Sequence, residues 1–556
     1  MTDQAKCDNS RTAEYHLHLL DKHWARLDCA WARGNAFFAG KLLGEGKLVE
    51  RVASMASTDE VLQLLVELNG FFSLILKRDK EFLFAVDSVR SIPLFYGFSG
   101  GTAFVSDDAY WIKEKTGEFE FDPQSTEEFL YTGYVTGPDT LYKRVKQVQA
   151  GELLQLRLED GVWKCKSFSY HRYCHHNPYR LVGEELSRRF QEILDHTFSR
   201  LIAFAGGRPI VIPLSGGYDS RLVALMLKKL QYPSVTAFSY GRPGNVNAEV
   251  SREVAERLGF PWLFVPYSQE DWFRWHRTEE RRAYGRMADG LCTLPHTQDW
   301  PAVWELRKSG QVVEDSVFVP GHSADLLSGS RSSRVPKLYN PSTSVQMAIS
   351  SILDLHYCLQ KHSQDWNELG LHFRERILRI LEPLQSFPDA ASALESWEVQ
   401  ERQAKCIVNS VRVYEFWGYS WWLPFWDREF LSFWKHVPLV LRFQQSFYRD
   451  HVEGLYVQIT GTSRKEAAKS DKSRLRRLLG SILRVLPMAT SFRSTLKRTK
   501  FMRTRLYDLD PLASLGILSK EHFLQLSRGL ESLATFEALE RLGRLSLDVP
   551  VEAKIN

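Results

Sequence analysis

The chain has 556 residues, 44% of them hydrophobic and 25% charged, and its 72 basic and 67 acidic side chains leave a net charge of +5. That length exceeds one core and points to two or three domains. The composition excludes a chain disordered throughout, and the near-balance of charge gives no reason to expect a nucleic-acid partner. Seven cysteines, Cys7, Cys29, Cys165, Cys174, Cys292, Cys358 and Cys406, stand far apart without a C-x-x-C pair, which fits free thiols in a reducing compartment. No leader pattern opens the sequence and no run approaches about 18 uninterrupted apolar residues. A cytoplasmic protein is expected, peripheral to a membrane at most.

From about His16 to Leu158 the sequence reads as strands and turns. "FFSLILKRDKEFLFAVDSV" holds two apolar runs split by a charged turn, and "AGELLQLRLEDGVWKC" repeats the pattern, so a largely antiparallel β unit is expected. The stretch "CKSFSYHRYCHHNPY", residues 165–179, lacks periodic apolar positions and reads as a linker. Its His171, Cys174, His175 and His176 lack a second ligand pair at zinc spacing. Beyond it, "ELSRRFQEILDHTFSRLIAFAG" has helical spacing, "PIVIPL" is a short apolar run, and helical and apolar segments then alternate through "SVTAFSYG", "VSREVAERLGF" and "PWLFVPY". That alternation predicts a parallel sheet with crossover helices. Residues 343–443 read as helical and rich in Trp. Between Gly461 and Arg505 there are fourteen Lys or Arg against Glu466 and Asp471 alone, with Leu475, Leu478, Leu479, Ile482, Leu483 and Leu486 on one helical face. The basic segment, residues 464–505, reads as a packed helix with a solvated face; the sharper alternative is contact with an anionic membrane surface or an acidic glycan.

The chemistry concentrates in "VIPLSGGYDSRLVALMLKKL", residues 211–230, where a predicted strand turns into a predicted helix. Such corners are where open α/β sheets bind ligands. Gly216 and Gly217 let backbone N–H groups approach an anion, the helix end adds unpaired donors, Ser215 and Ser220 add hydroxyls, and Asp219 can hold a Mg²⁺ bridging phosphate oxygens. No lysine follows the glycines and the spacing G-x-x-x-x-G-K-[ST] is absent, so this is not a Walker loop. A diphosphate grip instead suits attack at the α-phosphorus of ATP. The plainer reading is a helix cap after a Gly turn, which accounts for one hydroxyl or carboxylate but not for all three with two glycines.

"LSGGYDSR" resembles the S-G-G-x-D-S loop of N-type ATP pyrophosphatases, and among them the asparagine synthetase family. "VPGHSADLLSGS", residues 319–330, is similar to that family's second signature, S-G-E-G-S-D-E, and "WGYSWWLPFWD", residues 417–427, to its W-G-x-E-x-R-x-P-F-L-D. "NGFFSLILKRDKEFLFAVDSVRSIPLFYG" resembles the family's D-G-M-F-A-F segment and its D-x-x-G-x-x-P-L-Y-Y turn. The resemblance spans roughly residues 60 to 455. It implies an α/β fold: an Ntn-type α+β sandwich over 1–165, a parallel-sheet ATP pyrophosphatase domain (adenine nucleotide α hydrolase-like) over 180–455, and a basic helical extension over 456–556. It also implies ATP and Mg²⁺ as cofactors, with Asp219 and Asp325 on the metal. Ser215, Gly216, Gly217, Asp219 and Ser220 would sit on the diphosphate, Gly321 near the adenosine, and the backbone at Phe238 and Ser239 toward the adenine.

The sequence also departs from the family. Residue 2 is Thr where the glutaminase cysteine belongs, and neither R-G-P-D nor N-G-E is present, so the amino-terminal domain reads as a scaffold without hydrolytic activity. Glu becomes His322, the last Glu of the second signature becomes Leu326, and Ser420 and Trp422 replace the third signature's Glu and Arg. Within "QQSFYRDHV", Arg449 is the nearest candidate for the cation that relatives place there. His322 reads equally as a hydrogen-bonding loop histidine or as a general base toward an incoming amine. Trp421 and Trp422 read as core, or as a wall for a ring-shaped substrate. The expected activity is ATP-dependent adenylation of a small-molecule or sugar-linked carboxylate, followed by acyl transfer to ammonia or an amine. A ring-forming synthetase and a non-catalytic nucleotide-binding relative are the alternatives, and a homodimer is a further expectation.

Overall fold

A computed structural model of the chain describes residues 2–3, 14–20, 23–79, 81–340, 343–359, 366–382, 387–462 and Ala538. The basic segment singled out in the sequence, residues 464–505, lies outside the described residues.

The amino-terminal part opens with β1 (Thr2–Asp3), β2 (Tyr15–His18), β3 (Ala25–Leu27), β4 (Ala30–Phe38) and β5 (Lys41–Leu43). Helices α1 (Glu45–Ala53) and α2 (Thr58–Glu67) follow, then β6 (Asn69–Arg78), β7 (Glu81–Val86), β8 (Phe95–Ser99) and β9 (Thr102–Ser106). Helices α3 (Ala109–Thr116) and α4 (Pro123–Thr132), and strands β10 (Lys146–Gln147), β11 (Glu152–Glu159) and β12 (Val162–Ser169), complete it. Two sheets result, ordered β1-β2-β9-β8-β10 and β12-β11-β7-β6-β4-β3, with β5 on β4. Alternation along β7 shows how they stack. Phe82, Phe84 and Val86 join Leu17, Tyr96 and Val105 between the sheets. Leu83 and Ala85 join Leu48, Val52 and Leu64 beneath α1 and α2. Phe95 and Phe104 turn outward to Ile112 of α3 and Phe129 of α4. The order of layers is helix, sheet, sheet, helix.

Two details correct the sequence reading. Helices share the stretch read as strands and turns, and α2, α3 and α4 start where Ser57, Asp108 and Asp122 accept from Glu60 N, Tyr110 N and Ser125 N. The expected linker also begins later, because Cys165 pairs with Leu156 inside the β11–β12 ladder.

The second unit is α/β. After α5 (Gly183–Ala205) come β13 (Ile210–Pro213), α6 (Tyr218–Lys229), β14 (Val235–Gly241), α7 (Val246–Leu258) and β15 (Trp262–Pro266). Then follow α8 (Gln269–His276), α9 (Glu279–Asp289), α10 (Trp300–Lys308), β16 (Val317–Phe318) and α11 (Ala324–Leu327), with β17 (Ser420–Trp421) later. Their sheet has the order β15-β14-β13-β16-β17 and every pairing is parallel. Ile210, Val211 and Ile212 of β13 are buried, as expected of a central strand covered on both faces. The chain steps outward from β13 to β15, then returns to the other side of β13 at β16, so a crevice opens between β13 and β16 at the carboxyl end of the sheet.

Helices α12 (Val345–His356), α13 (Trp366–Leu381) and α14 (Ala390–Glu398) form a third cluster together with Tyr131 and Tyr134. A π-helical stretch, Val399–Ile407, continues α14, followed by α15 (Arg412–Phe416), α16 (Arg428–His436), α17 (Leu439–Arg442) and α18 (Ser446–Thr460). The π stretch ties the two units together. Buried Lys405 donates to Glu401 Oε2 (2.6 Å) and to Gly137 O (2.7 Å), and Gly137 N donates to Glu401 (3.0 Å). Asp427 is a second tie, accepting from Arg200 of α5 (2.6 and 2.8 Å) and from Asn69 of β6 (3.0 Å). Among the described residues no helix is long and apolar enough to cross a membrane.

Candidate active site

β13 ends at Pro213 and α6 begins at Tyr218, so the corner is a tight connection at the crevice. Ser215 N donates to Ser220 Oγ (3.0 Å), the two hydroxyls lie 3.0 Å apart, and Gly217 N donates to Ser215 Oγ (3.2 Å). The hydroxyls thus close the loop on itself. A Cβ on Gly216 would lie 3.0 Å from Asn247 Oδ1, so a side chain there would be crowded. Gly217 is the N-cap of α6 and supplies no side-chain cap, which leaves first-turn N–H groups and the positive helix end facing the crevice. Buried Arg221 donates to Gly216 O (3.2 Å) and pairs with Glu453 of α18 (3.1 Å), fixing the loop from inside.

Asp219 does not cap its own helix. Its Oδ2 accepts from Asp325 N (2.9 Å) and its Oδ1 from Tyr448 Oη of α18 (2.9 Å). Burial, with the charge of Asp325 added to it, pushes the Asp219 carboxyl up to about 8. A buried carboxylate whose ionisation is made costly, with a second carboxylate beside it, suits a cation. Asp325 is exposed and takes a hydrogen bond from Ser330 Oγ (3.0 Å). Among the described residues no group of three or more His, Cys, Asp or Glu could hold a metal ion. Asp219 and Asp325 would therefore share Mg²⁺ with phosphate and water oxygens, the mixed coordination Mg²⁺ favours, and the residues fit that ion.

The second-signature loop lies against the first. A Cβ on Gly321 would stand 2.3 Å from Ser220 N and 2.6 Å from Asp219 C, so only glycine permits the approach. Gly321 thus abuts the glycine loop's own helix start at Asp219 and Ser220. Ser323 adopts a left-handed φ of 75° and donates to Gln403 Oε1 of the π stretch (2.6 Å). His322, between them, is pushed down to about 4 by burial and by the His296 charge, against the pull of Asp299. Its Nδ1 is buried without a hydrogen-bond partner. Arg449 stands beside the loop on α18, its Cζ 5.5 Å from the centre of the Tyr218 ring, and donates to Gln445 Oε1 (3.1 Å).

The structure thus gathers Ser215, Gly216, Gly217, Asp219, Ser220, Gly321, Asp325 and Arg449 around one crevice, while the His322 ring has His296 and Asp299 as its charged neighbours. Phe238 and Ser239 lie farther along β14: the Phe238 ring packs on Phe318, and its carbonyl accepts from Leu214 N (2.9 Å) within the sheet. Ser420 and Trp422 lie elsewhere. Ser420 Oγ accepts from Arg208 (3.0 Å), Trp422 stacks on Phe204 (4.5 Å), and both face a cavity between the amino-terminal layers and the parallel-sheet unit. Tyr448 and Gln445 were not legible in the sequence; the stretch "QQSFYRDHV" drew notice for its cation and not for the neighbouring hydroxyl and amide. Gln445 donates to Asp325 O (3.2 Å) and Ser328 Oγ (3.0 Å), so α18 reaches both halves of the site.

Residues 55–169 match the family model of a glutamine amidotransferase domain, and residues 190–288 that of asparagine synthase. Together with the relative below, these two matches support an asparagine synthetase-family protein. An asparagine synthetase [glutamine-hydrolyzing] 1 of Bacillus subtilis (strain 168) is 23% identical over 221 residues, 38% of this chain and 34% of that protein. The chain therefore matches about a third of that relative's length. Two solved structures also align, each with a TM-score of 0.17. One is an allosteric regulatory enzyme of purine biosynthesis (16% identity, 52% of this chain and 54% of that one). The other is a glutamine phosphoribosylpyrophosphate amidotransferase from B. subtilis complexed with ADP and GMP (15% identity, 55% and 58%).

Proposed function

We propose that this asparagine synthetase-family chain is an ATP-dependent carbon–nitrogen ligase that adenylates a carboxylate with release of diphosphate and then passes the acyl group to ammonia or an amine with release of AMP. The observation that carries this reading is the joining of Asp219 and Asp325 through the 2.9 Å Asp325 N–Asp219 Oδ2 bond, directly beside the glycine loop. A loop with two hydroxyls, open helix N–H groups and no Walker lysine suits a diphosphate leaving group better than a transferred γ-phosphoryl. Mg²⁺, held by the two aspartates, would supply charge neutralisation on the phosphate oxygens.

The protein's own groups divide the remaining work. Ser215, Ser220 and the N–H groups of Gly216 and Tyr218 grip the diphosphate, and Arg449 adds a cation at the mouth of the loop. Neutral His322, with Nδ1 unpartnered, accepts a hydrogen bond from the incoming N–H and takes its proton as the C–N bond forms. Small-molecule and sugar-linked carboxylates are the substrate class. Exchange of labelled diphosphate into ATP, run across a panel that includes aspartate, glucuronate and galacturonate, tests the reading. Exchange that depends on one acid and disappears in Asp219→Ala is expected; exchange unchanged in that variant defeats it.

A further inference from the structure

Arg90 is buried and carries a left-handed φ of 54°. Only glycine adopts that conformation freely, and Arg90 stands where the D-x-x-G-x-x-P-L-Y-Y turn has its glycine. The strain is retained for a side chain that contacts a cavity of about 400 Å³ between the amino-terminal layers and the parallel-sheet unit. There Arg90 Nε donates to Val148 O (3.1 Å) and Nη2 to Cys292 Sγ (3.8 Å), with the guanidinium over the Phe95 ring. Those two bonds use two of its five N–H donors.

Among the described residues no carboxylate forms an ion pair with Arg90. The acids nearby are already engaged. Asp87 accepts from Phe72 N, Val89 N, Ser91 N and Ser91 Oγ, and Glu401 holds Lys405 and Gly137 N. In the cavity wall Asp107 accepts from Leu20 N and Trp24 Nε1, Asp108 from Tyr110 N, and Asp289 from Tyr110 Oη and Leu291 N. The other arginines have acids of their own: Arg33 and Arg412 meet Glu415 at 3.3 and 2.6 Å, and Arg286 lies 3.8 Å from Glu114. Arg90 is the cation left without a contact ion pair, stabilised by Glu401 and Asp87 only from a distance, and a buried guanidinium without a contacting anion is costly.

We propose that this cavity is a binding site for a small carboxylate, received by the Arg90 guanidinium. A planar monoanion matches the remaining fork of N–H donors, whereas a doubly charged phosphate would meet the field of Asp107, Asp108 and Asp289. The site is separate from the ATP crevice and does not depend on the ligase reading.

Thermal melting and calorimetric titration of the 556-residue chain with sodium acetate and sodium propionate, against sodium chloride at equal ionic strength and without ATP, test it. Saturable stabilisation by at least one of these carboxylates is expected in the wild type. Arg90→Gly, which removes both the strain and the unpaired charge, is expected to bind that carboxylate at least tenfold more weakly. Arg90→Lys, keeping a cation without the fork, is expected to fall between and keeps the test readable should the glycine variant fold poorly. A wild type that responds to neither carboxylate beyond chloride, or an Arg90→Gly response equal to wild type, overturns the proposal.

Discussion

Tyr448 donates its hydroxyl to Asp219 Oδ1 at 2.9 Å across 229 residues of sequence. The bond makes α18 part of the crevice proposed to hold ATP: it fixes one oxygen of the carboxylate while Asp325 N holds the other. A hydrogen bond to a charged group is worth about 1.5–3 kcal/mol. Tyr448→Phe should therefore weaken Mg²⁺–ATP binding roughly tenfold to a hundredfold, with the fold intact. Calorimetric titration of Mg²⁺–ATP checks this, and an unchanged affinity would detach α18 from the site.

Asp219 also sets a pH dependence. Its carboxyl lies at about 8 in the fold, raised by burial and then by Asp325, against about 3.9 in an unfolded chain. Between those values the folded, metal-free protein keeps a proton that the unfolded chain has lost, so this group's contribution to stability is complete below pH ~4 and is lost as pH rises through about 8. Asp219→Asn should remove that part of the decline in melting temperature. Magnesium reverses the sense: binding displaces the proton, so Mg²⁺ affinity should rise with pH toward about 8. Titrations at pH 7 in buffers of different ionisation enthalpy should register the released proton, and equal heats across buffers would contradict the site.

How much was legible in the sequence depends on how local each signal is. The corner at 211–230 was readable because its glycines, hydroxyls and carboxylate fall within six positions between a strand pattern and a helix pattern. The antiparallel strands and the parallel unit were readable from the periods of two and 3.6, whereas the stacking of the strands into two sheets followed only from the family resemblance. Tyr448 was not, because nothing in its own segment marks an aromatic that will meet a carboxylate from another helix. The π stretch at 399–407 was hidden because its apolar spacing reads as ordinary helix, and its Lys405–Gly137 O bond to the amino-terminal part appears only in the structure. Arg90 was quoted within a family motif, yet its left-handed backbone appears only in the structure. Ser420 and Trp422 are legible as departures from the third signature, but their contacts with Arg208 and Phe204 appear only in the structure.

The close approach at Gly321 separates packing from chemistry. An alanine Cβ there would stand 2.3 Å from Ser220 N, and overpacking of this kind costs about 1–3 kcal/mol. The backbone that must yield is the start of α6, so Gly321→Ala should lower Mg²⁺–ATP affinity more than it lowers the melting temperature. Gly454, inside α18, has nothing within 4 Å of its Cβ position. Gly454→Ala should stabilise by up to about 1 kcal/mol with binding unchanged. Equal losses in both variants would refute a specific contact at Gly321.

His322 divides the two halves of the proposed reaction. Its ring is neutral at pH 7 because burial and the His296 charge hold it down to about 4, and its unpartnered Nδ1 has no structural bond to lose. A group that only accepts the proton of the incoming amine should be dispensable for adenylation. His322→Gln should then leave diphosphate exchange within a few-fold of wild type while amide formation, followed with the same acid and ammonia, falls by about a hundredfold or more. Parallel measurement of both reactions decides between the two readings of this histidine. If exchange and amide formation fall together, the ring serves the loop that presses Gly321 against Ser220; if amide formation alone falls, the proton passes through His322.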